Sequence, residues 1–309
     1  MRILIELPTW LGDSVMITPA IENIVSHYNN PEITIFGPLV SIELFKKHPN
    51  IFKAEVANKD YKSLYKSAKF FGQFDAFFSF RGSLRSSFFK FFVSSKNKYQ
   101  FNRNKYHNCH QVEKYNRFVN ESLGKNYSAG KLKIYRAKKA SLSKSLPIMG
   151  INPGALYGEA KRWHPKEFAD VAFDLSNQYD IIIFGGPREK EIARDIERYL
   201  IDYGVKNYKN LACRTSVSQL ITQISNLDLF ITGDSGPMHI AAAFQVPTVA
   251  IFGPTNEKET SQWMNENSII VKKNLDCQPC MKRTCPLHHH NCMALIKAKH
   301  VLNAVKSAT

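Results

Sequence analysis

Three glycine-containing segments of this 309-residue chain place acids, cations and small residues where a loop would leave a strand. The first is Pro8-Thr9-Trp10-Leu11-Gly12-Asp13-Ser14, directly after an apolar run at 2–7. Gly12 permits a tight turn, and Asp13 stands at the start of a helical stretch. An aspartate so placed suits either a helix cap or a general base that takes a proton from a bound hydroxyl. The second is Asn152-Pro153-Gly154-Ala155-Leu156-Tyr157-Gly158-Glu159-Ala160-Lys161-Arg162-Trp163. Its glycines let backbone N–H groups approach an anion, and Lys161 and Arg162 can neutralise it. The glycine spacing fits neither a phosphate-loop NTPase nor a dinucleotide fingerprint, and a plain surface loop is the alternative. The third is Gly233-Asp234-Ser235-Gly236-Pro237-Met238-His239-Ile240-Ala241-Ala242-Ala243. Proline at the first helical position and exposed N–H groups around Gly236 make an anion cradle at a helix N-terminus. A cap would explain Asp234 or Ser235 singly, but not the whole run.

These loops need strands before them and helices after them, and the apolar periodicity supplies both. Strands are expected over 2–7, 32–37, 53–57, 75–80 and 98–101, with helices over 14–28, 40–48, 60–72 and 109–123. A polar segment, 138–147, ends in proline and reads as a linker. The pattern then restarts, with strands at 148–152, 180–184, 228–232 and 248–252 and helices at 166–178, 187–203, 216–226, 237–244 and 292–307. Alternation of this kind predicts an α/β chain of parallel sheets with crossover helices. Its length exceeds what one core ordinarily serves. The expected division is a first domain over 1–146, a second over 147–290, and a final helical segment, 291–309, that packs back on the first. In doubly wound sheets ligands bind beyond the carboxyl ends of the strands, where all three loops lie.

Charge narrows the partners. The chain carries a formal +16, and residues 61–144 alone hold 19 Lys or Arg against three acids, a net of +16, so the remainder balances. A field concentrated in one quarter of a chain points to an anionic partner. The N-terminal apolar run is six residues long, includes Glu6 and is soon followed by Asp13, which does not suit a signal peptide. No run of about 18 apolar residues occurs. A cytosolic protein with reduced cysteines is therefore expected.

The stretch from Asp228 to Thr255, with DSGPMHIAAA and VPTVAIFGPT, resembles the signature of the heptosyltransferase family, glycosyltransferase family 9. The Gly12-Asp13 turn, the NPG…AKRW segment and the tail CQPC…RTCPLHHHNCM are similar as well. The resemblance implies a GT-B fold, two Rossmann-like doubly wound domains facing across a cleft. It also implies an ADP-activated L-glycero-D-manno-heptose donor and inverting displacement onto a hydroxyl of the lipid A inner core, in lipopolysaccharide or lipooligosaccharide. By the same resemblance Asp13 is the general base, with Gly12 beside it on the acceptor side. Lys161 is the cation on the donor phosphates, and Gly154 with Asp234, Ser235, Gly236, Pro237, Met238 and His239 bind the donor. A ribose-binding carboxylate of the family aligns only with Gln219, and Ala155 and Leu156 stand where relatives can carry phosphate-binding hydroxyls. No Asp-x-Asp motif occurs, so a donor site without metal or other cofactor is expected. The basic segment then meets lipid A phosphates and the anionic inner face of the cytoplasmic membrane. Arg81 and Arg85 are expected in a loop that overlooks the acceptor.

Other sugar-nucleotide enzymes of the same architecture, an epimerase among them, would share the cradle. A nucleic-acid-binding protein is the rival class, suggested by Phe88-Phe89-Lys90-Phe91-Phe92 in the basic stretch, but no RNA- or DNA-binding motif accompanies it. Trp163 and Trp263 read as packing residues. Cys277, Cys280, Cys285 and Cys292 fall within 16 residues, beside His288-His289-His290. Structural zinc, disulfides and free thiols are all compatible with that spacing.

Overall fold

The computed structural model describes residues 1–58, 60–136, 146–154 and 158–308. The chain forms two units, Met1–Ala137 and Lys138–Thr309. Most of the expected linker, and with it Ala155 and Leu156, lies outside the described residues.

In the first unit, β1 (Arg2–Glu6), β2 (Glu32–Gly37), β3 (Ile51–Val56), β4 (Gln73–Ser79) and β5 (Ser94–Gln100) form a sheet in the order β3-β2-β1-β4-β5. Every neighbouring pair is parallel. Period-two alternation divides its apolar side chains between two faces. Leu4, Phe36 and Phe77 pack under α4 (Tyr61–Phe70) and α5 (Leu84–Phe92) through Leu64, Ala68 and Phe89. On the opposite face Phe78 meets Phe118 of α6 (Gln111–Leu123), which also packs on α2 (Thr18–His27). The helix expected over 14–28 is two helices. Ile17 closes α1 (Leu11–Met16) and opens α2, where Pro19 supplies a first turn that needs no N–H donor. Residues after 80 form a further helix, α5, where a loop was expected; Ser83 caps it by accepting from Ser86 N.

The second unit holds β6 (Ile148–Asn152), β7 (Asp180–Ile183), β8 (Tyr208–Asn210), β9 (Leu229–Gly233), β10 (Thr248–Phe252) and β11 (Ser268–Lys272), in the order β11-β10-β9-β6-β7-β8. All its pairings are parallel too. The edge strands β8 and β11 lie outside the periodic reading: β8 has only three residues, and both are only partly buried. On one face α7 (Pro165–Leu175) and α8 (Lys190–Asp202) share a core with α13 (Ala298–Ala308). On the other, α10 (Gly236–Ala243) lies close to the sheet, with Ala241 and Ala242 fully buried. The last helix, α13, packs on α7, β10 and β11.

Each strand order reverses once, between β1 and β4 in the first unit and between β6 and β9 in the second. At such a reversal the crossover helices leave to opposite faces, and a crevice opens beyond the carboxyl ends of the two strands. The turn that leads into α1 and Asp13 leaves β1, the loop bearing Arg81 leaves β4, that bearing Lys161 leaves β6, and that bearing Asp234 leaves β9. Trp163, 2% exposed, holds the Lys161 loop in place: its indole N–H donates to Ile296 O at 2.8 Å, and its ring meets Phe168 edge-on. Trp163→Phe keeps an aromatic ring but orphans that carbonyl and opens space. It should lower stability by about 2 kcal/mol in urea titration; an unchanged midpoint would show that the anchor is dispensable.

Candidate active site

In the second unit, Lys161 ends a short 3₁₀ turn, Glu159–Lys161, and its Nζ lies 2.6 Å from Asp234 Oδ2. Both side chains are largely buried, 11% and 7% exposed. Removing two such charges from water costs several kcal/mol per ion, so the pair persists only with close geometry and further hydrogen bonds. Thr255 supplies one, its hydroxyl donating to the same Asp234 oxygen at 2.7 Å. Lys161, Asp234 and Thr255 follow β6, β9 and β10, so three loops converge on one carboxylate.

Beside this pair α10 presents its N-terminus. Ser235 occupies the cap position without a side-chain cap bond. Its hydroxyl instead lies 3.1 Å from Thr232 Oγ1 and accepts from Asn152 Nδ2 at 3.1 Å. The first amides of the helix thus keep their positive end toward the loop, an arrangement suited to a phosphate. The predicted donor residues divide here. Pro237 has no N–H to offer. Met238 turns inward onto Ala250 and Phe252, and its N–H donates to Ser235 O at 3.2 Å. His239 is buried, 3% exposed.

Gly154 meets a residue that the sequence did not single out. A Cβ built there would lie 1.9 Å from Glu189 Cγ, so the loop passes against the Glu189 side chain only because the position is glycine. Glu189 is buried, and one carboxylate oxygen accepts from Gly186 N at 2.6 Å at the start of the turn Pro187–Glu189. The Gly-Pro-x-Glu pattern reads as an ordinary helix start, and nothing local places it beside Gly154. Gln219, by contrast, uses its side-chain oxygen to accept from Ser216 N at 2.8 Å, closing the cap of α9 (Val217–Ile224) on an exposed surface.

The cysteine segment braces these loops. His290 Nε2 donates to Ala160 O at 2.7 Å, Ala160 N to Arg283 O at 3.0 Å, Met281 N to Pro254 O at 2.9 Å, and Gln278 Nε2 to Gly253 O at 2.6 Å. The turn carrying Lys161 and the loop carrying Thr255 are therefore both tied to 277–293. Cys277, Cys280, Cys285 and Cys292 line one small cavity with His289 and His290 and are free thiols. Among the described residues no group of three or more His, Cys, Asp or Glu side chains is set to hold a metal ion. Burial, then the neighbouring Cys280, Cys277 and Cys285, push the Cys292 thiol up to about 11.

In the first unit Asp13 is not a cap. Trp10 takes that position, and Asp13 and Gly12 lie inside the first turn of α1, so the turn expected at Gly12 is helix. Buried Tyr115 of α6 donates its hydroxyl to Asp13 Oδ1 at 2.9 Å. Burial and then the Asp13 charge raise the Tyr115 phenol well above its usual range, so it stays a donor. Across the β1/β4 reversal Arg81 Nη1 lies 3.7 Å from Glu6 Oε1. Glu6 also accepts from Ser79 Oγ at 2.6 Å and Ser86 Oγ at 3.0 Å. Burial pushes its carboxyl above the usual range, against the pull of Ser79 and Arg81. Arg85 lies in the first turn of α5, not in a loop, and donates to Asn58 O.

The family model of glycosyltransferase family 9 (heptosyltransferase) matches residues 69–291. Lipooligosaccharide heptosyltransferase 2 of Campylobacter jejuni is 42% identical over 314 residues, covering 99% of this chain and 98% of that protein. Its namesake in Haemophilus influenzae is 27% identical, covering 87% and 88%. Among solved structures, Escherichia coli ADP-heptose lipopolysaccharide heptosyltransferase II superposes with a TM-score of 0.83 at 20% identity, covering 100% of this chain and 98% of that one. A family 9 glycosyl transferase from Veillonella parvula does so with 0.83 at 21%, covering 99% and 96%. The two parallel sheets and their helices are those of the GT-B heptosyltransferases, and the chain belongs to glycosyltransferase family 9, the heptosyltransferases.

Proposed function

We propose that this enzyme moves L-glycero-D-manno-heptose from ADP-heptose to the inner core of lipooligosaccharide or lipopolysaccharide, with inversion, as its relatives named heptosyltransferase 2 suggest. The observation that carries the donor half is Lys161, buried against Asp234 beside the N-terminus of α10. An acceptor hydroxyl attacks the anomeric carbon and Asp13 takes its proton. The bond from that carbon to the β-phosphate oxygen breaks, and ADP leaves with the electron pair. Charge that grows on the departing diphosphate is met by Lys161 and the α10 amides, which need no reorganisation as the bond breaks. Asp234 orients Lys161, and Glu189, behind Gly154, is the carboxylate for the ribose in place of Gln219. An Escherichia coli heptosyltransferase of the same fold solved with ADP supports this nucleotide. Arg81 and Arg85 face the anionic acceptor, and the basic segment keeps the enzyme at the inner face of the cytoplasmic membrane. No helix among the described residues is long and apolar enough to cross that membrane.

Asp13→Asn preserves shape and the Tyr115 contact but removes the base. Turnover should fall by about 100-fold or more with donor affinity nearly unchanged, and near-wild-type turnover would overturn the assignment.

Lys161→Ala should weaken ADP binding, slow transfer and destabilise the protein, because it leaves the Asp234 carboxylate buried without its cation. Lys161→Met with Asp234→Asn should restore the unfolding midpoint but not the rate. Recovery of both would make the pair purely structural.

With Lys161 and helix amides in the leaving-group role and no Asp-x-Asp motif in the chain, transfer measured by mass spectrometry should survive EDTA. Activity lost in chelator and restored by magnesium or manganese would contradict this part of the mechanism.

A further inference from the structure

The outward side of α4 and α5 is unlike the rest of the surface. Their inner residues Leu64, Ala68 and Phe89 fill the core. Along the seam between them, rings meet edge-on at 4.9 Å in an unbroken series: Tyr61 on Phe88, Phe88 on Phe92, and Phe92 on both Tyr65 and Phe91. The series is not closed over by other elements. Phe91 is 75% exposed, Phe70 at the end of α4 is 73% exposed, and Phe52 beside it is 76% exposed. Only one other phenylalanine among the described residues, Phe173, appears with these three among the exposed large hydrophobics. Scattered apolar residues need no explanation on a protein surface, but a contiguous aromatic patch marks an interaction site.

Charge identifies the occupant. Helix α4 carries Lys62, Lys66 and Lys69, the last 5.8 Å over the Tyr65 ring, α5 carries Lys90, and neither helix contains an acid. Lys53 lies 4.3 Å over the Phe70 ring. Of the nearby acids, Asp60 caps α4 and Asp75 pairs with Lys96 at 2.7 Å, and Glu32 shares the hollow lined by Phe52, Lys53 and Phe70. Exposed aromatic tips ringed by long cationic side chains suit a bilayer interface, where rings sit at headgroup depth and lysines reach anionic lipid. Both helices also start at the carboxyl end of the sheet, where Ser86 of α5 reaches Glu6 at the end of β1. Phe70 and Phe91 stand near the other ends of the two helices, Phe70 beside the strand starts at Arg2, Glu32 and Phe74.

We propose that the outer face of α4 and α5 docks on an anionic membrane, with Phe70 and Phe91 entering the interface and the α4 lysines engaging lipid phosphates. The proposal deepens the reading above, since the acceptor of that reading is membrane-borne.

The test is sedimentation of the full chain with vesicles of phosphatidylcholine alone or mixed with phosphatidylglycerol, beside a transfer assay on delipidated core oligosaccharide. Wild type should bind the anionic vesicles and bind much less as salt rises. Phe70→Ser with Phe91→Ser, and separately Lys62→Gln, Lys66→Gln and Lys69→Gln together, should each weaken vesicle binding on the order of 10-fold or more. Transfer to the soluble acceptor should be unchanged in both, which shows that they fold. Variants that bind vesicles as wild type does would overturn the proposal. So would a wild-type protein that ignores vesicles but self-associates through these residues, making the occupant a second copy. Wild type that binds vesicles through this face yet transfers no heptose to any acceptor would sink the activity reading and leave the docking surface standing.

Discussion

The contact between Lys161 and Asp234 sets the constraints on the second unit. Two opposite charges, nearly removed from water, are tolerated there because they meet at 2.6 Å and because Thr255 adds a hydrogen bond to the same oxygen. Such a pair contributes little net stability compared with apolar side chains of the same volume, yet losing one partner is costly. Its consequence is geometric: the loops that leave β6, β9 and β10 cannot drift independently. The cation is thereby held close to the N-terminus of α10.

Small residues and bracing segments make that arrangement possible. Ala241 and Ala242 let α10 lie close on the sheet, which aims its amides at the loop. Gly154 admits the Glu189 side chain, and Gly158 admits the Arg283 backbone, with a hypothetical Cβ only 2.4 Å from Arg283 O. The segment 277–293 then fastens the Lys161 turn and the Gly253–Pro254 stretch by main-chain and imidazole bonds. Within it Cys292 is buried, and burial and three neighbouring thiols push its thiol up to about 11.

The first unit solves a related problem with different chemistry. At its own strand-order reversal the cation is Arg81 and the buried acid is Glu6, which also accepts from two serine hydroxyls. Asp13, one loop away, is oriented by a phenol from α6 whose proton is kept in place by burial. Dense positive charge on α4, α5 and the segment beyond them sets this unit apart as the one suited to an anionic partner.

Much of this was legible in the chain itself. Apolar runs marked the buried central strands, because buried parallel strands are continuous in hydrophobicity, while β3 and β5 were found from shorter mixed stretches. Gly233 to Ala243 announced a strand, a tight exit and a close-packed helix through residue sizes alone. Edge strands β8 and β11 and helix α5 escaped, since a half-buried element carries a diluted period and the run of phenylalanines in α5 has no clean polar face. The partners of the site residues were another matter. Tyr115 lies 102 positions from Asp13, and Glu189 looks like a routine helix start until the fold lays Gly154 over it. Sequence determined the local conformations, whose causes lie within a few residues: propensity, capping and turn chemistry. Only tertiary structure decided which acid meets which cation, because ion pairing and burial depend on distances that strand order, not chain order, sets.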